Sequence, residues 1–426
     1  MTRRFRIPLD NQRPIFGVFL AAHAIPDAID IMHTGVGCKP KAQRQISSHD
    51  RAREAQNKMV WSDVDESLLI RGSMDRLVDM TVETVKRRGN VGLVFLTTST
   101  AMEMTGRDLG AAAARIRERA GIPVVPLPTP GYGHDLHQGY QRAVLSVLEM
   151  CDWARRPDPR PSLAVVGHLF GRYEADGPAD LAEVARLLGR LGLPVAATLL
   201  SGTPVAGLLE AARASSMVVL PWAASIADRA AAVSGRPCIR TDLPMGIAGT
   251  ARFLREVAAA AGVGDRAVGD LVDSETGLMG PYLRVARERL AGARIAILAD
   301  TPVAAGIAGL AAALGALPVL VGLLDRTLGG RPAREAALSR SGRALPGGCA
   351  VLENPTADDV GDAGGDPEVV VAPDVWLPPA FARGAARVEI GIPSNRRHAV
   401  FPQPTMGFRG AMCMAQRLAD ARSGAH

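Results

Sequence analysis

The chain contains 426 residues, of which 47% are hydrophobic and 22% are charged. This length and balance predict an ordinary globular protein of roughly two to four domains. None of the five cysteines lies in a Cys-x-x-Cys pair, which argues against a zinc ribbon and a disulfide framework and favours a reducing compartment. No apolar run is long enough to cross a membrane. We therefore expect a cytoplasmic protein without a membrane partner.

The net charge of +6 comes mostly from arginines scattered over alanine-rich helical segments. Aromatic residues make up only 4% of the chain, and no basic stripe with interleaved aromatics occurs. Proteins that bind nucleic acid usually concentrate both features on one surface. The composition therefore predicts no nucleic-acid partner.

Near the N-terminus, an apolar segment at Ala28–Met32 leads into the turn His33-Thr-Gly-Val-Gly-Cys38. Glycines let the backbone turn tightly and approach a bulky ligand closely. A thiolate in such a turn can ligate a metal cluster, but a lone cysteine more often packs as a small hydrophobe. The turn by itself leaves both interpretations of Cys38 open.

Short apolar runs alternate with amphipathic helical stretches along most of the chain. Such runs are typical of strands that are buried on both faces, and their alternation with helices predicts an α/β fold of parallel sheets with right-handed crossovers. The predicted strands are 91–96, 163–166, 195–200, 217–220, 295–298, 319–321 and 369–372. The clearest predicted helices are 180–191, 304–314 and 410–421.

Composition also suggests where the units begin and end. The segment Arg155-Arg-Pro-Asp-Pro-Arg-Pro161 cannot continue a helix, because each proline restricts itself and the residue before it. A second boundary is expected within the helical region 279–292. We therefore predict three Rossmann-like α/β domains, near 1–156, 157–290 and 291–426. The Gly- and Asp-rich segment 354–366 is expected to be a surface loop.

The sequence gives little support for a nucleotide-binding site or for a Ser-His-Asp hydrolase site. Gly167-x-x-x-Gly171 follows a predicted strand, but it lacks the full Gly-x-Gly-x-x-Gly pattern, and no phosphate-loop lysine follows. The Gly-x-Ser-x-Gly turn that carries the nucleophile of many hydrolases is missing too. Neither a bound nucleotide nor a Ser-His-Asp hydrolase is expected.

Several separated motifs together resemble the nitrogenase component-1 superfamily, and in particular its β-type subunits. That superfamily includes the two subunits of the nitrogenase catalytic component, the cofactor-assembly scaffold pair and the dark-operative protochlorophyllide and chlorophyllide reductases. In the first predicted domain the motifs, in order, are His33-Thr-Gly-Val-Gly-Cys38, the acidic segment from Ser62 to Gly72, Thr97 to Asp108, and Thr129-Pro-Gly-Tyr132 leading to Gly139.

The resemblance continues through the other two domains. The corresponding motifs are Val218-Val-Leu-Pro-Trp222, Leu243-Pro-Met-Gly246, Gly391-Ile-Pro, Arg397-His398 and Gly407-Phe-Arg-Gly410 at the start of a helix. No single motif is specific, but their order is. The resemblance implies a nitrogenase component-1 type fold over the whole chain.

What the resemblance implies for metal binding depends on the departures from the family pattern. A nitrogenase catalytic β subunit uses two further cysteines to hold a large interface cluster, but here no cysteine occurs near Met59 to Ser62. Thr100 stands at the third position and is expected to lie beside the cluster. One thiolate, Cys38, suits a [4Fe-4S] cluster whose other ligands come from an α-type partner. Gly35 and Gly37 would then direct backbone N–H groups at that cluster.

Other residues receive lesser roles from the resemblance. Pro221 stands where an α-type subunit carries a cofactor cysteine, and His398, without a cysteine partner, is expected to be a structural or interface residue. Were two copies of this chain to share a symmetric cluster, Asp63 or Asp65 would be the nearest candidates for a second ligand. The remaining cysteines are expected to be core or surface thiols: Cys151, Cys238, Cys349 and Cys413.

Two functions follow as expectations from the resemblance. The chain is either the β-type subunit of a nitrogenase-like reductase, acting with an α-type subunit as α2β2 on a small molecule, or the β-type half of the scaffold on which nitrogenase cofactor matures. In the first case, a separate ATP-dependent iron–sulfur reductase would deliver the electrons. The shortness of the chain and the turn from Thr100 to Asp108 suit the scaffold, whereas the altered cysteine turn and the basic segment Lys39-Pro-Lys-Ala-Gln-Arg44 favour a divergent reductase. An α/β binding protein without a cluster remains a third interpretation.

Overall fold

A computed structural model describes residues 13–36, 58–129, 134–158, 160–169, 176–325, 335–339, 347–373, 384–391 and 401–423, together with positions 328 and 345. The predicted α/β class is confirmed. Three sheets lie one after another along the chain, and every strand pair in them is parallel. The sheets fall inside the three predicted domains, whose boundaries stay a prediction.

The first sheet has the strand order β2-β1-β3-β4. Its strands are β1 (Ala28–His33), β2 (Met59–Trp61), β3 (Leu93–Thr98) and β4 (Val124–Leu127). All residues of β1 and β3 are buried, as expected for strands covered on both faces. The helices of this unit are α1 (Pro14–His23), α2 (Glu66–Arg71), α3 (Met74–Arg88), α4 (Thr100–Glu103), α5 (Leu109–Ala120) and α6 (Leu136–Glu149).

Helices cover both faces of the first sheet. Side chains such as Leu77 of α3 and Ile116 of α5 pack on one face against Ile31. On the other face, α1 and α6 lie so close together that a Cβ atom at Gly17 would collide with the backbone of Leu136. Glycine therefore sets how near these two helices can lie.

The second sheet has the order β6-β5-β7-β8. Its strands are β5 (Leu163–Val166), β6 (Val195–Thr198), β7 (Ser216–Val219) and β8 (Cys238–Arg240). The helices of this part of the chain are α7 (Asp176–Arg190), α8 (Val205–Leu209), α9 (Ala227–Ser234), α10 (Gly246–Ala260) and α11 (Asp265–Leu290), with 3-10 helices at Glu210–Arg213 and Pro221–Ile226. Each predicted strand of this unit is present, within a few residues of its predicted bounds.

The third sheet has the order β11-β10-β9-β12-β13. Its strands are β9 (Arg294–Ala299), β10 (Leu317–Leu323), β11 (Ala350–Glu353), β12 (Val369–Ala372) and β13 (Ala386–Glu389). The helices are α12 (Thr301–Ala313), α13 (Ala357–Ala363) and α14 (Gly407–Ser423). No helix among the described residues is long and apolar enough to cross a membrane.

The expectation of a surface loop at 354–366 was wrong, because α13 lies within it. A capping box starts this helix: the Thr356 side chain accepts the N–H of Asp359, and the Asp359 carboxylate accepts the N–H of Thr356. Val360 is fully buried against the third sheet. Local capping and one buried side chain were enough to override the loop composition.

The C-terminal helix α14 closes the chain against the second unit, where it packs on α7, α10 and α11. Asp180 of α7 is buried and accepts the backbone N–H groups of Thr405 (2.5 Å) and Met406 (2.9 Å), the two residues before the helix. Glu183, one turn further along α7, accepts the N–H of Arg409 at 3.3 Å. The first residues of α14 are thus fixed by carboxylates of another unit.

Gly410 packs directly against the backbone that leads into α14, since a Cβ atom there would meet the carbonyl carbon of Thr405 at 2.4 Å. We expect Gly410→Val to lower the free energy of unfolding by about 1–3 kcal/mol through overpacking. Gly189→Val is the control, because a Cβ atom at Gly189 in α7 meets nothing within 4 Å. Equal stability of the two variants in urea titrations would contradict this account of the helix start.

Asp30 in β1 is completely buried, and burial raises the pKa of its carboxyl to about 7 despite the hydrogen bond from Thr97. The unfolded chain releases this proton near pH 3.8, so the native state loses stability as the pH rises from there to about 7. When the pH is raised from about 5 to about 8, the free energy of unfolding of wild type should therefore fall by roughly 2–3 kcal/mol relative to that of Asp30→Asn. Urea unfolding of both proteins at the two pH values measures this change. If the difference in free energy of unfolding between the two proteins is the same at both pH values, the raised pKa of Asp30 is refuted.

Candidate cluster site at the edge of the first sheet

The carboxyl ends of β1 and β3 lie side by side and position the segments that follow them. Ser99 donates its backbone N–H to His33 O at 3.1 Å, which extends the pairing by one residue. On the other side, Val64 donates to Thr34 O at 2.9 Å, and Gly35 forms an isolated parallel bridge with Val64. The chain that enters the Gly-x-Gly turn is therefore held on both sides.

His33, the last residue of β1, is almost completely buried at 1% exposure. Its Nδ1 lies 3.0 Å from Ser62 Oγ, and its Nε2 lies 2.9 Å from Ser73 Oγ. Burial, helped by the charge of Arg107, lowers the pKa of this imidazole to about 4. Because the ring is neutral, it donates one of these hydrogen bonds and accepts the other.

We call His33 and its two serine partners the His33 brace, in which Ser62 follows the end of the neighbouring strand β2. Its Oγ also accepts the backbone N–H of Thr34 at 3.0 Å, and its own N–H bonds to Met32 O at 3.1 Å. His33, Ser62 and Ser73 therefore tie together the end of β1, the end of β2 and the start of α3. They fix the direction in which the backbone leaves β1.

A polar turn at the end of β3 faces the same edge. Ser99 precedes α4 without making a side-chain cap, and its buried Oγ has no hydrogen-bond partner. Thr100, the first residue of α4, is half-buried. An unpaired hydroxyl at such an edge fits a sulfide or thiolate acceptor, since hydrogen bonds to sulfur tune iron–sulfur clusters.

Sequence reasoning missed Glu103, which organises this turn. Its carboxylate accepts the hydroxyl of Thr98 and, at 3.2 Å, the backbone N–H of Thr129. The Thr129 hydroxyl in turn donates to Thr98 O. Glu103 thereby joins the turns that follow β3 and β4. The only signal in the sequence was a glutamate shortly after a Ser/Thr-rich strand end, which many surface helices share.

Large apolar side chains lie exposed on the segments that follow these strand ends. Val36, after β1, is 60% exposed, Ile70 in α2 is 85% exposed, and Met104, after α4, is 78% exposed. Leu69 is 40% exposed beside Ile70. Exposed apolar residues that gather on one side of a domain often mark a protein interface. We call these four residues the apolar rim.

The structure brings two of the four predicted site residues to one edge. Gly35 follows β1 and Thr100 follows β3, and these are neighbouring strands. Gly37 and Cys38 lie outside the described residues, as does His398. Their predicted roles stay predictions.

The acidic residues considered as extra ligands have local structural settings. Asp65 caps α2 by accepting the N–H of Leu68 at 2.9 Å, and this bond, helped by the Ser67 hydroxyl, lowers the pKa of its carboxyl. Asp63 adopts a positive φ of 46° in the turn before it. The described residues contain no group of three or more His, Cys, Asp or Glu that could hold a metal ion.

The other four cysteines lie within the described residues, and none of them forms a disulfide bond there. Cys151 is buried, which raises the pKa of its thiol to about 12. Burial also raises the pKa values of Cys238 and Cys349, which are half-buried, as Cys413 is. Raised values disfavour the thiolate that ligates metals, which supports the prediction that Cys151, Cys238 and Cys349 are structural thiols.

Known proteins resemble this chain in sequence and in fold. The B subunit of the light-independent protochlorophyllide reductase of Methylobacterium radiotolerans is 31% identical over 70% of this chain and 56% of its own length. The nitrogenase iron-molybdenum cofactor biosynthesis protein NifE of Rhizobium meliloti is 23% identical over 57% of this chain and 50% of its own length. The chain thus matches about half the length of these curated relatives.

A solved structure titled "Nitrogenase Cp1 at pH 6.5" superposes with a TM-score of 0.82 and covers 100% of this chain and 94% of that one, at 18% identity. At such an identity the superposition shows the fold alone. Residues 14–422 match the family described as nitrogenase component 1 type oxidoreductase. With nearly its whole length matched, this chain belongs to the nitrogenase component 1 type oxidoreductases.

Proposed function

We propose that this chain is the β-type subunit of a nitrogenase-like reductase complex and that Cys38 supplies one ligand to a [4Fe-4S] cluster shared with an α-type partner. When bound, such a cluster supplies one-electron transfer, here from an ATP-dependent iron–sulfur reductase to a small-molecule substrate held in or next to the partner. The observation that carries the proposal is the braced edge of the first sheet, from which the Cys38 turn leaves.

The edge is suited to this role because its backbone is fixed before any partner binds. The neutral His33 ring holds two strand ends and the start of α3 through the Ser62 and Ser73 hydroxyls. Gly35 continues the pairing toward the turn. A metal-ligating residue that must share a cluster with three ligands of another chain benefits from such preorganisation, because less conformational entropy is lost when the complex forms.

The apolar rim supports the presence of a partner on the same side. Val36, Leu69, Ile70 and Met104 belong to segments that follow the carboxyl ends of β1, β2 and β3. Stable subunit interfaces bury apolar side chains of this kind. A partner subunit that covered the rim would also exclude water from the cluster.

The relatives support a reductase role through the protochlorophyllide reductase chain, which is the more similar of the two curated sequences described above. A nitrogenase molybdenum-iron protein alpha chain from Methanothermobacter marburgensis also matches, with 26% identity over 41% of this chain. Because the relatives include both a B subunit and an alpha chain, the β-type assignment of this chain depends on its sequence motifs.

The match to NifE supports a second candidate function. In it, the chain is the β-type half of a scaffold that holds a nitrogenase cofactor precursor and turns over no substrate. The two functions differ in what leaves the complex. A reductase releases a reduced small molecule while ATP is consumed, whereas a scaffold releases a metal cofactor.

The ligand assignment is tested by Cys38→Ala in the complex that copurifies with the partner under anaerobic conditions. Loss of a thiolate ligand should remove most of the cluster, so iron and acid-labile sulfide should fall and the reduced EPR signal should change. Cys349→Ala, a half-buried thiol in the third unit, should leave iron content unchanged. Full iron content and an unaltered EPR spectrum in the Cys38 variant would remove the basis for the proposal.

Because the chain would supply one ligand of four, we expect little iron in the protein when it is expressed alone. Coexpression with the α-type partner should produce one four-iron cluster for each pair of chains. Iron and sulfide analysis of both preparations measures the difference. A stoichiometric four-iron cluster in the chain by itself would contradict the shared site.

A further inference from the structure

A cavity of about 370 Å³ lies between the second and third units, far along the chain from the cluster edge. It opens where β7, β8 and β9 end, and in open parallel sheets ligands bind in the crevice outside the carboxyl ends of the strands. One part of its wall is apolar and is formed by Pro221, Ala224, Pro302, Leu328 and Ala337. The polar part is formed by Arg240, Thr241, Asp242, Glu256 and Thr301.

Thr241 gives the strongest indication that the cavity holds a ligand. It directly follows β8, continues the ladder by donating its N–H to Val219 O at 3.2 Å, and is only 8% exposed. Its Oγ1 is buried and has no hydrogen-bond partner. A buried hydroxyl without a partner is destabilising, and a ligand in the cavity that this residue lines would remove that cost.

The charges of the wall define the kind of ligand. Arg240 lies 2.6 Å from Asp228, but Asp228 is 90% exposed, so the pair is weak and the guanidinium can exchange partners. Two carboxylates, Asp242 and Glu256, line the same cavity, and Arg252 lies 3.4 Å from the Asp242 carboxylate. An anion alone would meet these carboxylates, and a cation alone would meet the guanidinium. A molecule that carries both charges can place each of them beside a wall group of the opposite sign.

We propose that this cavity binds a free α-amino acid. Its carboxylate would pair with Arg240 and accept a hydrogen bond from the Thr241 hydroxyl, while its ammonium group would lie toward Asp242 and Glu256. The side chain of the amino acid would pack on the apolar wall around Pro221 and Pro302. The volume of the cavity leaves room for a medium-sized side chain and some water.

The neighbourhood of the cavity is rigid enough to form a site without the ligand. The Trp222 indole N–H donates to the Asp300 carboxylate and so joins the end of β7 to the end of β9. Thr301, at the start of α12, is fixed by Asp325, which accepts both its N–H and its hydroxyl at 2.6 Å. The two units that form the wall are therefore held together independently of any ligand.

The test is calorimetric titration of the full-length protein with each protein L-α-amino acid, alongside acetate and methylamine as single-charge probes. We expect at least one amino acid to bind and to raise the melting temperature, with both single-charge probes much weaker. Failure of every amino acid to bind, or equally tight binding of acetate or methylamine, would overturn the proposal.

Variants separate a binding role from a structural one. Thr241→Val keeps the shape of the side chain, so the ligand-free protein should melt at or above the wild-type temperature, while the Kd rises about tenfold. Arg240→Gln should weaken binding at least as much, whereas Arg266→Gln, at a 95% exposed side chain of α11, should not change it. A lowered melting temperature of ligand-free Thr241→Val would show that the hydroxyl is structural and would contradict the proposal.

Discussion

The buried acidic face of α7 is the constraint on which the assembly of the units depends. Asp176, Asp180 and Glu183 follow one another at helical spacing, and each is at most 2% exposed. A buried carboxylate without partners costs several kcal/mol, so the face must be covered by donors. The segment at the start of α14 supplies backbone N–H groups, and the helix adds the Arg409 and Arg417 side chains. Arg186 links Glu183 to Glu275 of α11. The last helix of the chain thereby joins the third unit to the second.

The parallel sheets determine where binding sites can form in this fold. Each sheet gathers its strand ends at one edge, and the segments that leave that edge carry the polar and glycine residues. At the first sheet, these segments hold the His33 brace, the Ser99 hydroxyl and the apolar rim. At the junction of the second and third sheets, they form the cavity lined by Arg240 and Thr241. The same structural rule places polar groups at both edges.

Sequence patterns predicted most of the scaffold but little of the site. The apolar runs 163–166 and 369–372 coincide with β5 and β12, because strands buried on both faces have no reason to carry polar residues. The short strands β2, β4, β8, β11 and β13 were missed, because none of them is buried along its whole length. Gly35 and Thr100 were predicted from motifs, whereas Glu103 was not. Its role depends on Thr129, which lies 26 residues away along the chain.

The sequence by itself determined the fold class, the family and the candidate ligand Cys38, because these depend on local periodicity and on motifs that keep their order along the chain. Only the tertiary structure decided which polar groups meet. The two serines around His33 lie 29 and 40 residues from it in the chain, and Asp180 lies 225 residues from Thr405. The unpaired Thr241 hydroxyl, too, is visible only when every neighbour is in place. Burial and hydrogen bonding are properties of the packed chain, and they determine the pKa values, the braces and the cavities from which function can be argued.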